Sequence, residues 1–405
     1  MKKILITGAF LVLCISQLVA QDRVITKRST STSHTDEGES NIITDDDNGS
    51  LMIKWKGEIK LTEDERGFAS LSPGAYVKYS KNGRKILVKT NEAGLLSYQF
   101  NGKENKTALT ESDKNLLAEI VKELIAHGVG AKDRALRIYN KQGLSGLLNE
   151  IQLLKTDYVK GIYFETLLAG KSFSQQDIKL VLPKIGTLIE SDYEKGKLLK
   201  AVAIDHLSDA QTTEAYFNAV KSIESDYEKA NAIKAFVRNQ LTEEQFTQSL
   251  DATKTIGSDY EKANVLKQIL AQSPSGSRFE QALSIVNSIE SDFEKAGVLK
   301  KLIGKGTFAG NNFDQLLSAI GSIDSDFEKA NVYKTVLEKE IDSDDHWIGL
   351  LKGIEKIESD FEKASVLVTA SKKLPVGEKV TAAYRAAAKT IDSDFEYGRV
   401  MKAIR

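Results

Sequence analysis

Cysteine is nearly absent, histidine is scarce and neither sign of charge prevails, and each shortage removes a class of function. The only cysteine of the 405 residues is Cys14, inside an apolar run over residues 4–19 that follows Lys2 and Lys3 and precedes Ala20, Gln21 and Asp22. A basic start, an apolar middle and a small residue before polar ones form the order of a secretory signal, expected here over residues 1–20 with cleavage after Ala20. The run is short for a membrane span. Leu13 is not the small residue that lipid attachment at Cys14 requires, so lipoprotein anchoring is not expected. The mature chain would hold no cysteine, which excludes disulfides, a thiol nucleophile and cysteine-ligated zinc.

The four histidines, His34, His127, His206 and His346, have no ligand-spaced partners, and surface or capping roles suit them. No Gly-x-Ser-x-Gly elbow is present. Gly304-Lys305-Gly306-Thr307 lacks the first glycine of a phosphate loop and reads as a connection between helices. Asp45-Asp46-Asp47-Asn48-Gly49 lacks the ligand spacing of a calcium loop. No catalytic, cofactor-binding or metal-ligating residue is assigned, and neither cofactor nor enzymatic activity is expected. The chain carries 56 basic and 57 acidic residues. Without Lys2 and Lys3 its net charge is about −3, which does not attract nucleic acid or an anionic membrane surface.

What is present is order along the chain. Residues 21–50 are Ser, Thr, Asp, Glu and Gly with few apolar side chains, and burial too small to offset ordering entropy predicts a flexible linker. Residues 51–110 hold β-rich runs at 51–61, 76–79, 85–89 and 95–100, with Asn82-Gly83 and Asn101-Gly102 placed for tight turns. They predict a small antiparallel domain, its apolar face covered by a helix over residues 112–126. A helical connector over 111–155 follows, with helices at 132–141 and 144–154.

From residue 156 to 405 the chain repeats itself. Asp precedes Tyr or Phe at 157, 192, 226, 259, 292, 326, 360 and 394, a period of 33 to 35 residues. Periods of this size mark stacked supersecondary units, none of which can bury its apolar face alone. Ser225-Asp226-Tyr227-Glu228 and its copies read as a capping box, with Ser capping a helix N-terminus and Glu returning to the Ser N–H. Residues one, four, seven and ten past each Asp, such as Tyr260, Ala263, Leu266 and Ile269, are apolar or small and read as one helix face. On that reading the aromatic series Tyr158, Tyr193, Tyr227, Tyr260, Phe293, Phe327, Phe361 and Phe395 belongs to the core. The Asp, Glu and Lys ladder beside it reads as capping and surface pairing. A second helix per unit starts at signals such as Ser208/Gln211, Thr242/Gln245 and Ser277/Glu280 and ends at Ile189, Ile223, Ile256 and their equivalents. The predicted fold is mainly α within an α+β class: a right-handed α-solenoid of about eight αα-hairpins behind a small β domain.

Ser70-Leu71-Ser72-Pro73-Gly74, Phe100-Asn101-Gly102 and the serial Ser-Asp-Tyr/Phe units, which together cover nearly all the mature chain, carry one resemblance. They look like exported bacterial proteins, and periplasmic extensions of sensor-type (penicillin-receptor-like) membrane metallopeptidases, that share these features. The resemblance implies the architecture and an envelope setting. Peptidase activity is not implied, because no His-Glu-x-x-His motif or membrane segment accompanies it. The expected function is a periplasmic or secreted scaffold that binds a protein or peptide partner through the solenoid, without nucleic acid. Self-association through the last half-unit is compatible with it. The alternative is a ligand-sensing companion of an envelope signalling system.

Overall fold

In a computed structural model the chain is described at residues 29–34, 39–46, 49–91, 93–103, 106–170, 174–202, 207, 209–238, 240–272, 277–305 and 311–404. The expected signal over residues 1–20, with Cys14, lies outside these, as does His206. Two compact units divide at Leu124 and Ile125.

The first unit is an antiparallel sheet with one helix. Strands β1 (Ser29–His34), β2 (Glu39–Asp46), β3 (Gly49–Lys56), β6 (Tyr76–Lys81), β7 (Arg84–Thr90) and β8 (Leu96–Phe100) lie side by side in that order, and β4 (Ile59–Leu61) pairs with β5 (Phe68–Leu71) separately. Alternation does the work expected of it: Leu51, Ile53 and Trp55 of β3 point into the core with Val77, Tyr79, Ile86 and Val88. Asn82 and Gly83 both adopt positive φ (48° and 78°), as do Asn101 and Gly102 (50° and 75°), which is the geometry a two-residue hairpin turn requires. Helix α1 (Glu111–Ala126) buries Leu117, Ile120, Val121 and Leu124. It is tied to the sheet by Tyr79, whose hydroxyl donates to Glu123 at 2.5 Å, and by Arg84 against Glu119 at 3.2 Å.

The expected linker over residues 21–50 is corrected in its described part, where β1 and β2 extend the sheet. Glu39 to Asp46 pair residue by residue with Lys56 to Gly49. Strand addition draws on backbone N–H and C=O groups, so a Ser- and Thr-rich segment suffices, with Ile42 of β2 buried. Asp45 and Asp46 of the rejected calcium loop pair with Ser50 and Gly49.

The second unit is a helical array. Helix α2 (Ala131–Leu153) breaks at Gly143, φ 68°, where the sequence separates two connector helices. Then come α3 (Asp157–Leu168), α4 (Gln175–Leu188), α5 (Asp192–Ala201), α6 (Ala210–Lys221), α7 (Asp226–Phe236), α8 (Glu243–Lys254) and α9 (Asp259–Ile269). The series continues with α10 (Ser277–Val286), α11 (Asp292–Lys305), α12 (Asn311–Gly321), α13 (Asp326–Leu337), α14 (Asp344–Glu355), α15 (Asp360–Ser371), α16 (Glu378–Ala388) and α17 (Asp394–Ala403). Odd-numbered helices from α3 onward pack on their odd neighbours and even-numbered on even, while consecutive helices also touch. The array is therefore two layers of αα-hairpins. One continuous core runs through it from Ala131 to Val400. Among the described residues no helix is long and apolar enough to cross a membrane.

Candidate binding surface

Each odd helix from α5 to α15 begins with the repeated motif, and four of its five side chains have a structural task. Ser225, Ser258, Ser325, Ser359 and Ser393 cap their helices by accepting from the N–H of the Glu three residues on. The returning half of the expected capping box is replaced by a bond between units. The Ser258 N–H donates to Asp226 of the preceding unit at 2.7 Å, and the Gly257 N–H to the same carboxylate at 2.9 Å. Asp157, Asp192, Asp259 and Asp292 grip the next unit's entry in the same way. Both halves of a capping box occur at even-helix starts instead, at Ser174/Asp177 and Thr242/Gln245. Ser208, expected to start an even helix, lies outside the described residues; Asp209 caps α6 by accepting from Thr212 N–H.

Glu of the motif, freed from capping, meets a lysine on the preceding odd helix: Glu294 with Lys267 at 2.8 Å, Glu228 with Lys200 at 3.2 Å, Glu261 with Lys234 at 3.5 Å. Lys of the motif is buried and closes the C-terminus of its own unit's even helix, where the carbonyls carry partial negative charge. Lys195 donates to Ser222 O at 2.9 Å, Lys229 to Thr255 O at 3.1 Å and Lys363 to Thr390 O at 3.0 Å. Asp157 sits below the usual carboxylate range: burial opposes this, but backbone donors from Ser191 and Glu190 and the Lys160 ammonium outweigh it.

The aromatic residue has no such task. Tyr193, Tyr227 and Tyr260 are each 61% exposed, Phe293 68%, Phe327 and Phe361 58%, and Phe395 77%. The core assignment of this series is therefore overturned for seven of its eight members; only Tyr158, at the start of the array, is half-buried, its hydroxyl pushed up to about 12 by burial and by Glu194 and Glu165. The reason is angular. A step of three residues turns a helix by about 300°, so positions one and ten past the Asp lie on opposite faces. The buried stripe runs through positions three, four, six, seven and ten, as in Lys262, Ala263, Val265, Leu266 and Ile269. The aromatic side chain shares the outer face with positions five and eight.

Around the rings lies an acidic frame. Two residues before six of the eight motif Asp residues stand Glu190, Glu224, Glu290, Asp324, Glu358 and Asp392, all exposed, each with the motif Asp and Glu at the next two alternate positions; Lys155 and Gly257 hold the place before Asp157 and Asp259. At the far end Arg399 lies over the Phe361 ring, Cζ 5.5 Å from its centroid, with Nη2 2.8 Å from Glu396 Oε2 and 3.4 Å from Phe361 O. Elsewhere the structure offers little chemistry. His346 lies 2.7 Å from Asp342 and stacks on Phe313 at 4.5 Å, and no trio of His, Cys, Asp or Glu among the described residues is placed to hold a metal. Gly306 and Thr307 lie outside the described residues. A shallow depression of about 370 Å³ is lined by Gln268 and Gln272, whose amides already serve Lys234 O and Val237 O.

No family model matches the chain, and no curated protein matches it, so these comparisons do not connect it to the metallopeptidase extensions. A structure from a computational design of self-assembling cyclic protein homo-oligomers aligns with 70% of this chain and 93% of its own at 12% identity. Its TM-score of 0.13 supports no argument.

Proposed function

We propose that the protein is a non-enzymatic interaction scaffold of the bacterial envelope, periplasmic or secreted, that holds a protein or peptide partner along the outer face of its odd helices. The observation that carries this reading is the exposed aromatic series. Folding gains nothing from leaving seven large rings in water, whereas burying one against a partner contributes about 1.5–3 kcal/mol. One ring per unit makes the surface repetitive and additive along the array. Capping and clamping by Ser, Asp, Glu and Lys hold each ring at the same place on its helix. Replacing Tyr227, Tyr260 and Phe293 together by alanine should abolish capture of a specific partner by crosslinking in the native envelope while costing the fold no more than about 1.5 kcal/mol. Equal capture by wild type and variant contradicts the proposal.

A further inference from the structure

Resting on that reading, we infer that the partner presents an extended basic segment, with arginine or lysine side chains seated on successive rings. Arg399 displays the chemistry within the chain itself. Its guanidinium covers the Phe361 ring, donates toward the ring residue's own carbonyl and meets a motif glutamate, the geometry of a cation–π contact closed by a carboxylate. Arg399 occupies the fifth position past its Asp. The same position in the units that follow Tyr193, Tyr227, Tyr260, Phe293 and Phe327 holds Asn231, Asn264, Gly297, Asn331 and Ser365, which are short and uncharged. At the first five rings that position is short, and the motif Glu that Arg399 meets at the sixth is met instead by Lys200, Lys234, Lys267, Lys300 or Lys334 of the ring's own helix, while the ring itself stays exposed.

Charge favours a cation there as well. Motif glutamates are engaged by lysines and motif aspartates by backbone N–H groups. The exposed Glu224, Glu290, Asp324 and Glu358, by contrast, make no side-chain hydrogen bond or ion pair with the described residues. These carboxylates also offset the positive helix ends near which the rings stand. Spacing sets the register. Packed helices lie about 8–10 Å apart, and an extended or polyproline-II chain advances about 9–10 Å in three residues, so a basic residue at every third position matches consecutive rings. A neutral linear saccharide would also stack on rings but has no use for the carboxylate row.

The test is fluorescence anisotropy on the full mature chain with a fluorescein-labelled (Arg-Pro-Ser)5 peptide, its citrulline counterpart and a chito-oligosaccharide competitor. The arginine peptide should bind at least tenfold more tightly than the citrulline peptide and resist the saccharide. It should lose at least tenfold on a Tyr227→Leu, Tyr260→Leu, Phe293→Leu variant, which keeps apolar bulk but removes the π faces and keeps the wild-type thermal midpoint. Equal binding of both peptides, displacement by the saccharide, or no loss in the leucine variant overturns the inference. If no arginine peptide binds while crosslinking still recovers a ladder-dependent partner, the basic chemistry alone is refuted; loss of both results refutes the scaffold as well.

Discussion

At the scale of single residues, the motif divides its labour so completely that its exceptions are informative. The lysine eight positions past the Asp in most units, as at 200, 234, 267 and 300, serves the next unit's glutamate. In the first unit that position is Glu165. Glu194 therefore meets a like charge where its copies meet a cation, and Lys197, 2.6 Å from Glu165, stands 3.9 Å from Glu194. Burial first, and then Glu165 and Asp157, raise the Glu194 carboxyl above its ordinary value of 4.5. A carboxyl raised on folding adds stability below its ordinary value and loses that contribution as pH rises through the folded value. Glu194→Gln should therefore melt at a higher temperature than wild type at pH 7, with the difference closing below pH 4; thermal scans at both pH values decide it. A variant less stable than wild type at pH 7 would contradict the reading of this site as a strained one.

At the scale of the helix, the sequence revealed the units, the odd-helix starts and the small residues of the buried stripe. Ser and Glu three apart signalled the caps, and Ala230, Ala263, Ala296, Ala330 and Ala364 are fully buried as expected. Two features were not legible. The apolar series at steps of three drifts by about 60° per step, so Phe293 and Leu302, which belong to one series in the sequence, stand on opposite faces. Chemistry alone could not correct this, because an aromatic residue at every unit suits a core and a binding surface equally. The second is the bond from each Asp to the next unit's entry, since partners some 33 residues apart leave no local signal. This clamp is a prediction in its own right. Asp226→Ala leaves the Gly257 and Ser258 N–H groups without their acceptor and should cost about 2–3 kcal/mol, read from urea denaturation. A loss below about 0.5 kcal/mol would show the joint to be held by packing alone.

At the scale of the whole molecule, the sheet unit and the array were anticipated in kind and differ in extent. The sheet begins about twenty residues earlier than the apolar pattern suggests, because β1 and β2 join through backbone pairing that hydrophobicity does not report. The array joins its hairpins through the same few residues each time, so its stability is expected to be close to a sum of units and nearest-neighbour joints. That additivity makes the place of the aromatic series measurable. Were the rings part of the continuous core, each replacement by alanine would cost about 3–5 kcal/mol and three would unfold the array. Urea denaturation of the Tyr227→Ala, Tyr260→Ala, Phe293→Ala protein is the direct test. An exposed binding ladder predicts a loss within about 1.5 kcal/mol, surface substitutions costing about 0.5 kcal/mol each, with the slope of the transition unchanged. A loss of about 9 kcal/mol or more would return the rings to the core and remove the surface on which the proposed function rests.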